Sequence, residues 1–124
     1  MLTYDHIYSK RDSIEKLRQE YAKDVSSIDI VKNAGCVAQI RMNIIVYNDV
    51  YLPVTDECYL DVFKNGSYTL TDFNLRTLSY QDRRTRTNLI NKLISQIMSC
   101  IESGPWRKKL KIRKTGFIFQ NPQQ

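Results

Sequence analysis

Twelve residues from Cys36 to Tyr47 alternate without a break. Cys36, Ala38, Ile40, Met42, Ile44 and Val46 fall on one side, and Val37, Gln39, Arg41, Asn43, Ile45 and Tyr47 on the other. Period two over that length predicts a half-buried β-strand. Such a strand needs partners at its edges and an apolar layer over its buried face.

The partners are read from turn chemistry. Residues 58–64 and 67–75 flank Asn65-Gly66, a pair that accepts positive φ at both central positions of a type I′ hairpin turn. A two-residue loop pairs Lys64 with Ser67, Phe63 with Tyr68 and Asp61 with Leu70. One hairpin face then carries Cys58, Leu60, Val62 and Phe73, and the other Tyr59, Phe63, Tyr68 and Leu70. Before the hairpin, Asn48-Asp49 turns the chain into a short strand at 50–54. Pro53 places that strand on an edge, because proline cannot donate to a ladder.

The apolar layer is read from helical spacing. Residues 80–102 carry Leu89, Ile90, Leu93, Ile94, Ile97, Met98 and Ile101 on one stripe, after a capping pattern at Ser79-x-x-Asp82 and before Gly104-Pro105. A first helix runs from the Ser9-x-x-Asp12 cap to about Val25, with Ile14, Leu17, Tyr21 and Val25 as its stripe. Residues 1–8 read as a short strand or an extended arm.

After the long helix, Leu110, Ile112, Phe117 and Phe119 alternate with Lys109, Lys111, Arg113 and Ile118. Lys114-Thr115-Gly116 suits a three-residue turn, so the C-terminus reads as a basic β-hairpin. The expected fold class is α+β: an antiparallel sheet of 3–5 strands packed by two helices, in the order α-β-β-β-α, plus that hairpin. At 124 residues this is a single domain, residues 1–124, able to bury a core without disulfides or metals. The order α-β-β-β-α resembles that of double-stranded-RNA-binding domains. Arg83-Arg84-Thr85-Arg86 loosely echoes their basic second-helix start, but their glycine-rich loop with its histidine is missing here. The element order is also similar to that of small ring-forming phage connector and tail-terminator proteins.

Chemistry-bearing motifs are absent from the sequence: no dinucleotide or P-loop glycine pattern, no nucleophile elbow, no H-E-x-x-H and no zinc-deaminase signature. Asp56, Glu57 and Asp61 lie close together, but Asp61 and Lys64 point to opposite faces of a strand, so this group reads as a solvated hairpin end. His6 stands alone and reads as a surface or packing histidine. Cys36, Cys58 and Cys100 are too widely spaced for a zinc site and odd in number for a disulfide framework; they read as buried free thiols. Free thiols point to a reducing compartment, most simply a cytoplasm. No apolar run approaches the roughly 18 residues of a membrane span, and residues 1–12 lack the apolar stretch of a signal peptide. The expectation is a protein without enzymatic activity, cofactor or metal.

Charge is the strongest functional signal. Residues 1–82 hold nine Lys and Arg against twelve Asp and Glu, whereas residues 83–124 hold ten against Glu102 alone. The last third thus carries +9 of a chain whose net charge is +6. Two clusters supply it. Arg83, Arg84 and Arg86 stand in the first turns of the long helix, where the dipole disfavours cations. They read either as an anion site or as partners of Asp72, Asp82 or another local acid. Trp106, Arg107, Lys108, Lys109, Lys111, Arg113 and Lys114 form a basic ribbon with an aromatic at its base. That ribbon suits phosphate contacts and stacking, or else guards an exposed sheet edge. Tyr59, Phe63 and Tyr68 read as an aromatic face that packs under a helix or against another subunit, since Asp61 and Asp72 beside them would repel phosphates.

The sequence therefore predicts a small binding protein that grips DNA, RNA or a nucleoprotein with weak sequence preference. The alternative is an oligomeric assembly component, such as a phage-type virion connector or tail-terminator-like protein found in the virion, or a small inhibitor docking on a partner protein.

Overall fold

The alternating segment forms a strand from Ala38 to Tyr47, with Cys36 and Val37 just before it. In a computed structural model that describes residues 1–47, 53–72, 80–102 and 114–118, the first elements are helices α1 (Tyr4–Tyr8) and α2 (Arg11–Glu20) and strands β1 (Val25–Val31), β2 (Ala38–Tyr47), β3 (Pro53–Val62) and β4 (Tyr68–Thr71). Helix α3 (Tyr80–Glu102) and strand β5 (Lys114–Ile118) follow. The sheet order is β1-β2-β3-β4-β5. The first four strands pair antiparallel, and β5 pairs parallel to β4. The fold is α+β.

On β2 the residues Ala38, Ile40, Met42 and Ile44 are buried, as their alternation requires, while Arg41 is exposed. Across the sheet Ile30, Ile40, Leu60 and Leu70 stand in register on the core side. Ile7 of α1, Ile14 and Leu17 of α2, and Ile90, Leu93, Ile94, Ile97 and Ile101 of α3 join the same cluster. The apolar face is thus covered by three helices, one more than expected.

Several sequence expectations give way to particular contacts. Residues 4–8 are helical, because Thr3 caps them through its side-chain oxygen, which accepts from the His6 backbone N–H at 3.2 Å. Lys10, not Ser9, sits at the N-cap of α2, and it makes no side-chain cap bond. That helix ends at Glu20, so Val25 belongs to a strand and pairs with Ile44. Pro53 opens the long strand β3 opposite Tyr47 of β2, at the first strand position that tolerates proline, and the β4 ladder meets β3 only from Tyr59 to Val62.

The hairpin forms with a different register. Phe63 N–H donates to the Ser67 carbonyl at 2.9 Å, Gly66 N–H donates to the Phe63 carbonyl at 3.0 Å, and Gly66 takes φ 85°. The loop is therefore three residues, Lys64 to Gly66, with glycine in the left-handed position. Val62 pairs with Tyr68 and Leu60 with Leu70. A slip of one residue moves a strand's side chains to the opposite face. Tyr68 and Leu70 consequently turn into the core, away from Tyr59.

At the C-terminus, Lys114, Thr115 and Gly116 lie in strand β5 instead of a turn, with Tyr68 opposite Lys114 and Leu70 opposite Phe117. The first arm of the expected hairpin, the Ser79-x-x-Asp82 cap and the Asn48-Asp49 turn fall wholly or partly outside the described residues. Among the described residues no helix is long and apolar enough to cross a membrane.

Candidate nucleic-acid interface

The arginines at the start of α3 do not act as a set. Arg86 is inside the protein. Its Nε lies 2.7 Å from Asp72 Oδ2, its Nη2 2.9 Å from Asp72 Oδ1, and its Nη1 3.3 Å from Asp56 Oδ2. The side chains of Arg86 and Asp72 retain only 4% and 1% of their exposure. A fork-to-fork pair of this kind fixes orientation as well as charge. Arg86 is therefore spent on local pairing and offers nothing to an external anion. Asp56 joins it from β3 and leaves the solvated hairpin end expected for it. Cys58, nearby on β3, is pushed up to about 12 by burial and by the Asp72 charge, against which Arg86 works. Arg84 is exposed; Arg83 is within α3.

Helix α3 runs back along β4. Its second turn reaches Asp72, just past the end of β4, while Ser99 and Glu102 near its other end line a groove with Tyr68, the first residue of β4. Over 23 residues this separates its two ends by roughly 34 Å. The basic run follows the far end: α3 stops at Glu102, and β5 resumes at Lys114 beside Tyr68. Trp106, Arg107, Lys108, Lys109, Lys111 and Arg113 lie outside the described residues, between those two anchors. The two clusters read from the sequence thus start at opposite ends of the helix.

The end that holds Glu102 and Lys114 gathers more than these. The β1–β2 and β3–β4 loops both lie there and bring exposed Lys32 and Lys64, and Leu2 N–H donates to the Lys64 carbonyl at 3.0 Å. Lys32 Nζ sits 5.1 Å from the Tyr4 ring centroid. His6 reaches the same end, with Nε2 2.8 Å from the carbonyl oxygen of Ile101. A carbonyl only accepts, so Nε2 carries the proton and satisfies one of the open carbonyls at the end of α3. His6 is thus a packing histidine.

The three aromatics do not share a face. Tyr68 is in the core, where burial raises its phenol above the ordinary range. Phe63 is half-buried at the hairpin end. Tyr59 stands on the outer face, its hydroxyl donating to Glu57 Oε2 at 2.6 Å and its ring 5.6 Å from the Arg41 guanidinium carbon. Its phenol is raised chiefly by that bond to Glu57. Around it Arg41 Nε donates to Gln39 Oε1, and Gln39 Nε2 donates to Asp61 Oδ1, each at 2.9 Å. The outer face is a polar network with more acid than base, and it does not suit phosphate.

No three His, Cys, Asp or Glu among the described residues gather as a metal-holding group. Cys58 is buried, whereas Cys36 and Cys100 are only half-buried, and none of the three is in a disulfide. Asp56 as a partner of Arg86 escaped sequence reasoning, since thirty residues separate them; the acid was visible and its direction was not. Lys64 was read as the last residue of a hairpin strand, whereas it lies in the three-residue loop, and its company with Lys32 and Lys114 depends on the sheet order. Comparison of the chain with protein-family models, with curated proteins and with solved structures finds no match.

Proposed function

We propose that this protein is a non-enzymatic module that grips nucleic acid, alone or within a nucleoprotein, through residues 107–114. The observation that carries the reading is the +9 charge of residues 83–124. Two further points support it. The basic run is anchored at both ends at the same pole of the fold, and that pole already offers Lys32 and Lys64. Arg86 is withdrawn from the binding set because its charge is answered by Asp72 and Asp56. Arg83 and Arg84 are withdrawn because they start at the other end of α3. Weak sequence preference is expected, since phosphate contacts position a protein without reading bases. Free thiols fit work in a reducing compartment such as the cytoplasm.

The test is binding of generic single- and double-stranded DNA and RNA across ionic strength. With about six phosphates neutralised, log affinity falls against log salt with a slope near −4 to −5. Absence of binding at low salt removes the proposal. One observation favours a second reading, that of an assembly component or a protein inhibitor. The outer sheet face carries half-buried Tyr59 and Val31 beside its polar network. Light scattering that finds a strict monomer, together with no captured partner, counts against it.

A further inference from the structure

Between the β1–β2 loop and the β3–β4 loop lies an open cleft of about 720 Å³. Val37, Cys36 and Met1 give it apolar walls, Phe63 supplies an aromatic side chain, and Lys64 and Ser67 complete the rim. Its volume falls in the range of small-ligand sites, and its make-up is theirs too: apolar walls with a few polar groups. Neither hairpin needs this space for its own core, since the sheet's buried row at this end is already completed by Ala38, Val62 and Tyr68.

Its position decides what it could hold. Tyr68 follows Ser67 directly and pairs with Lys114, so the basic run re-enters the sheet one residue from the rim of the cleft. Lys64 is exposed on that rim. Asp61 adds a negative field that helps to raise the Cys36 thiol, after burial, but its carboxylate accepts from Gln39. An aromatic and apolar cleft with a cation on its rim matches a flat apolar ring carried on a phosphate chain.

We infer that this cleft is a nucleobase slot, which takes one unpaired base of a single strand whose phosphate meets Lys64 on the rim. The inference rests on the nucleic-acid reading above and adds to it a preference for single strands. A paired base cannot enter, because its plane is stacked on both sides within a duplex. Stacking on an aromatic side chain tolerates every base, in keeping with weak sequence preference.

The experiment uses the full chain with Cys100→Ser, so that Cys36 is the accessible thiol and Cys58 stays buried. Alkylation of Cys36 is followed alone, with saturating oligothymidine, and with a saturating duplex of mixed sequence. A base in the slot slows alkylation at least about fivefold with the single strand and much less with the duplex. In parallel, Phe63→Ala should lose at least about fivefold in affinity for oligothymidine and little for the duplex. Phe63→Tyr, which keeps the ring, should retain binding and controls for misfolding. If the protein binds single strands but Cys36 reacts at its unliganded rate, the slot is overturned and the basic-segment reading stands. If no nucleic acid binds at low salt, both fall.

Discussion

Arg86 and Asp72 close on each other as a two-pronged pair, 2.7 Å at one prong and 2.9 Å at the other, with both side chains out of water. The pair ties the second turn of α3 to the end of β4, and Asp56 extends it to β3. Burying charges is costly, and the attraction offsets that cost only while both partners remain.

That relationship gives the first prediction. Asp72→Ala strands a buried guanidinium with Asp56 alone and should destabilise the fold by about 3–5 kcal/mol. Arg86→Met should also destabilise it, by removing the guanidinium that answers the buried Asp72 carboxylate. The double variant Arg86→Met/Asp72→Leu removes both charges and should recover at least half of the loss from either single change. Urea unfolding measures all three. A double variant no better than the singles would mean that the pair is not what the site depends on.

The second prediction concerns pH. An unfolded Cys58 loses its proton near the ordinary 9.0, while the folded thiol holds it to about 12. Above pH 9 the unfolded chain therefore binds fewer protons than the native one, and stability falls as pH rises. The contribution is complete below pH 9 and is lost progressively toward 12. Cys58→Ala should weaken the protein at neutral pH through the cavity it leaves, yet flatten the decline between pH 9 and 11. At pH 8 a thiol reagent should label half-buried Cys36 and Cys100 well before Cys58. Equal labelling rates would contradict this placement.

Where local chemistry was repeated, the sequence was legible. The stripe from Leu89 to Ile101 recurs over several turns, and α3 spans the residues it predicts. The alternation of β2 was equally clear. Where one residue decided the outcome, reading failed. Gly66 in the left-handed region makes a three-residue loop, and that choice sends Tyr68 into the core instead of onto the face of Tyr59. Val25 lies four residues after Tyr21, a helical spacing, and its pairing with Ile44 is nineteen positions away. The β1 pattern around Ile28 and Ile30 is also interrupted by a register shift between Val25 and Ser27. The parallel pairing of Lys114 with Tyr68 spans the whole of α3, and no local spacing signals it. In the site, Asp72 was foreseeable as a partner of Arg86 because it is close in sequence. Nothing local pointed to Asp56.

The third prediction follows from His6. Its ring nitrogen donates to Ile101 and fastens α1 to the end of α3, a helix with no basic residue in its last turn. His6→Ala should destabilise the protein by about 0.5–1.5 kcal/mol. The loss should be local, so hydrogen exchange should speed up most in the last turn of α3 and in α1. Unchanged exchange there would show that the carbonyl finds another donor at no cost.

The last prediction separates the two basic clusters. On the proposed reading Lys109, Lys111 and Arg113 touch phosphates, and Arg84 stands about a helix length from them. Replacing the three by alanine should weaken binding strongly and flatten the salt slope by about two to three. On the same reading the melting temperature should barely move, since charges given to phosphates and not to the core contribute little to stability. Arg84→Ala, as a control, should leave both affinity and slope nearly unchanged, since one continuous phosphate track along the whole of α3 is not part of the proposal. Phe117→Ala should behave in the opposite way. Phe117 is large and apolar and pairs through its backbone with Leu70, so its loss should cost about 3–5 kcal/mol of stability. Binding measured well below its lowered melting temperature should keep the parent's salt slope. If the triple variant binds as tightly as the parent, the basic run only keeps the surface soluble, and a protein partner on the outer sheet face becomes the better account. If Arg84→Ala also flattens the slope, the nucleic acid follows α3 from end to end, and the binding surface is larger than residues 107–114.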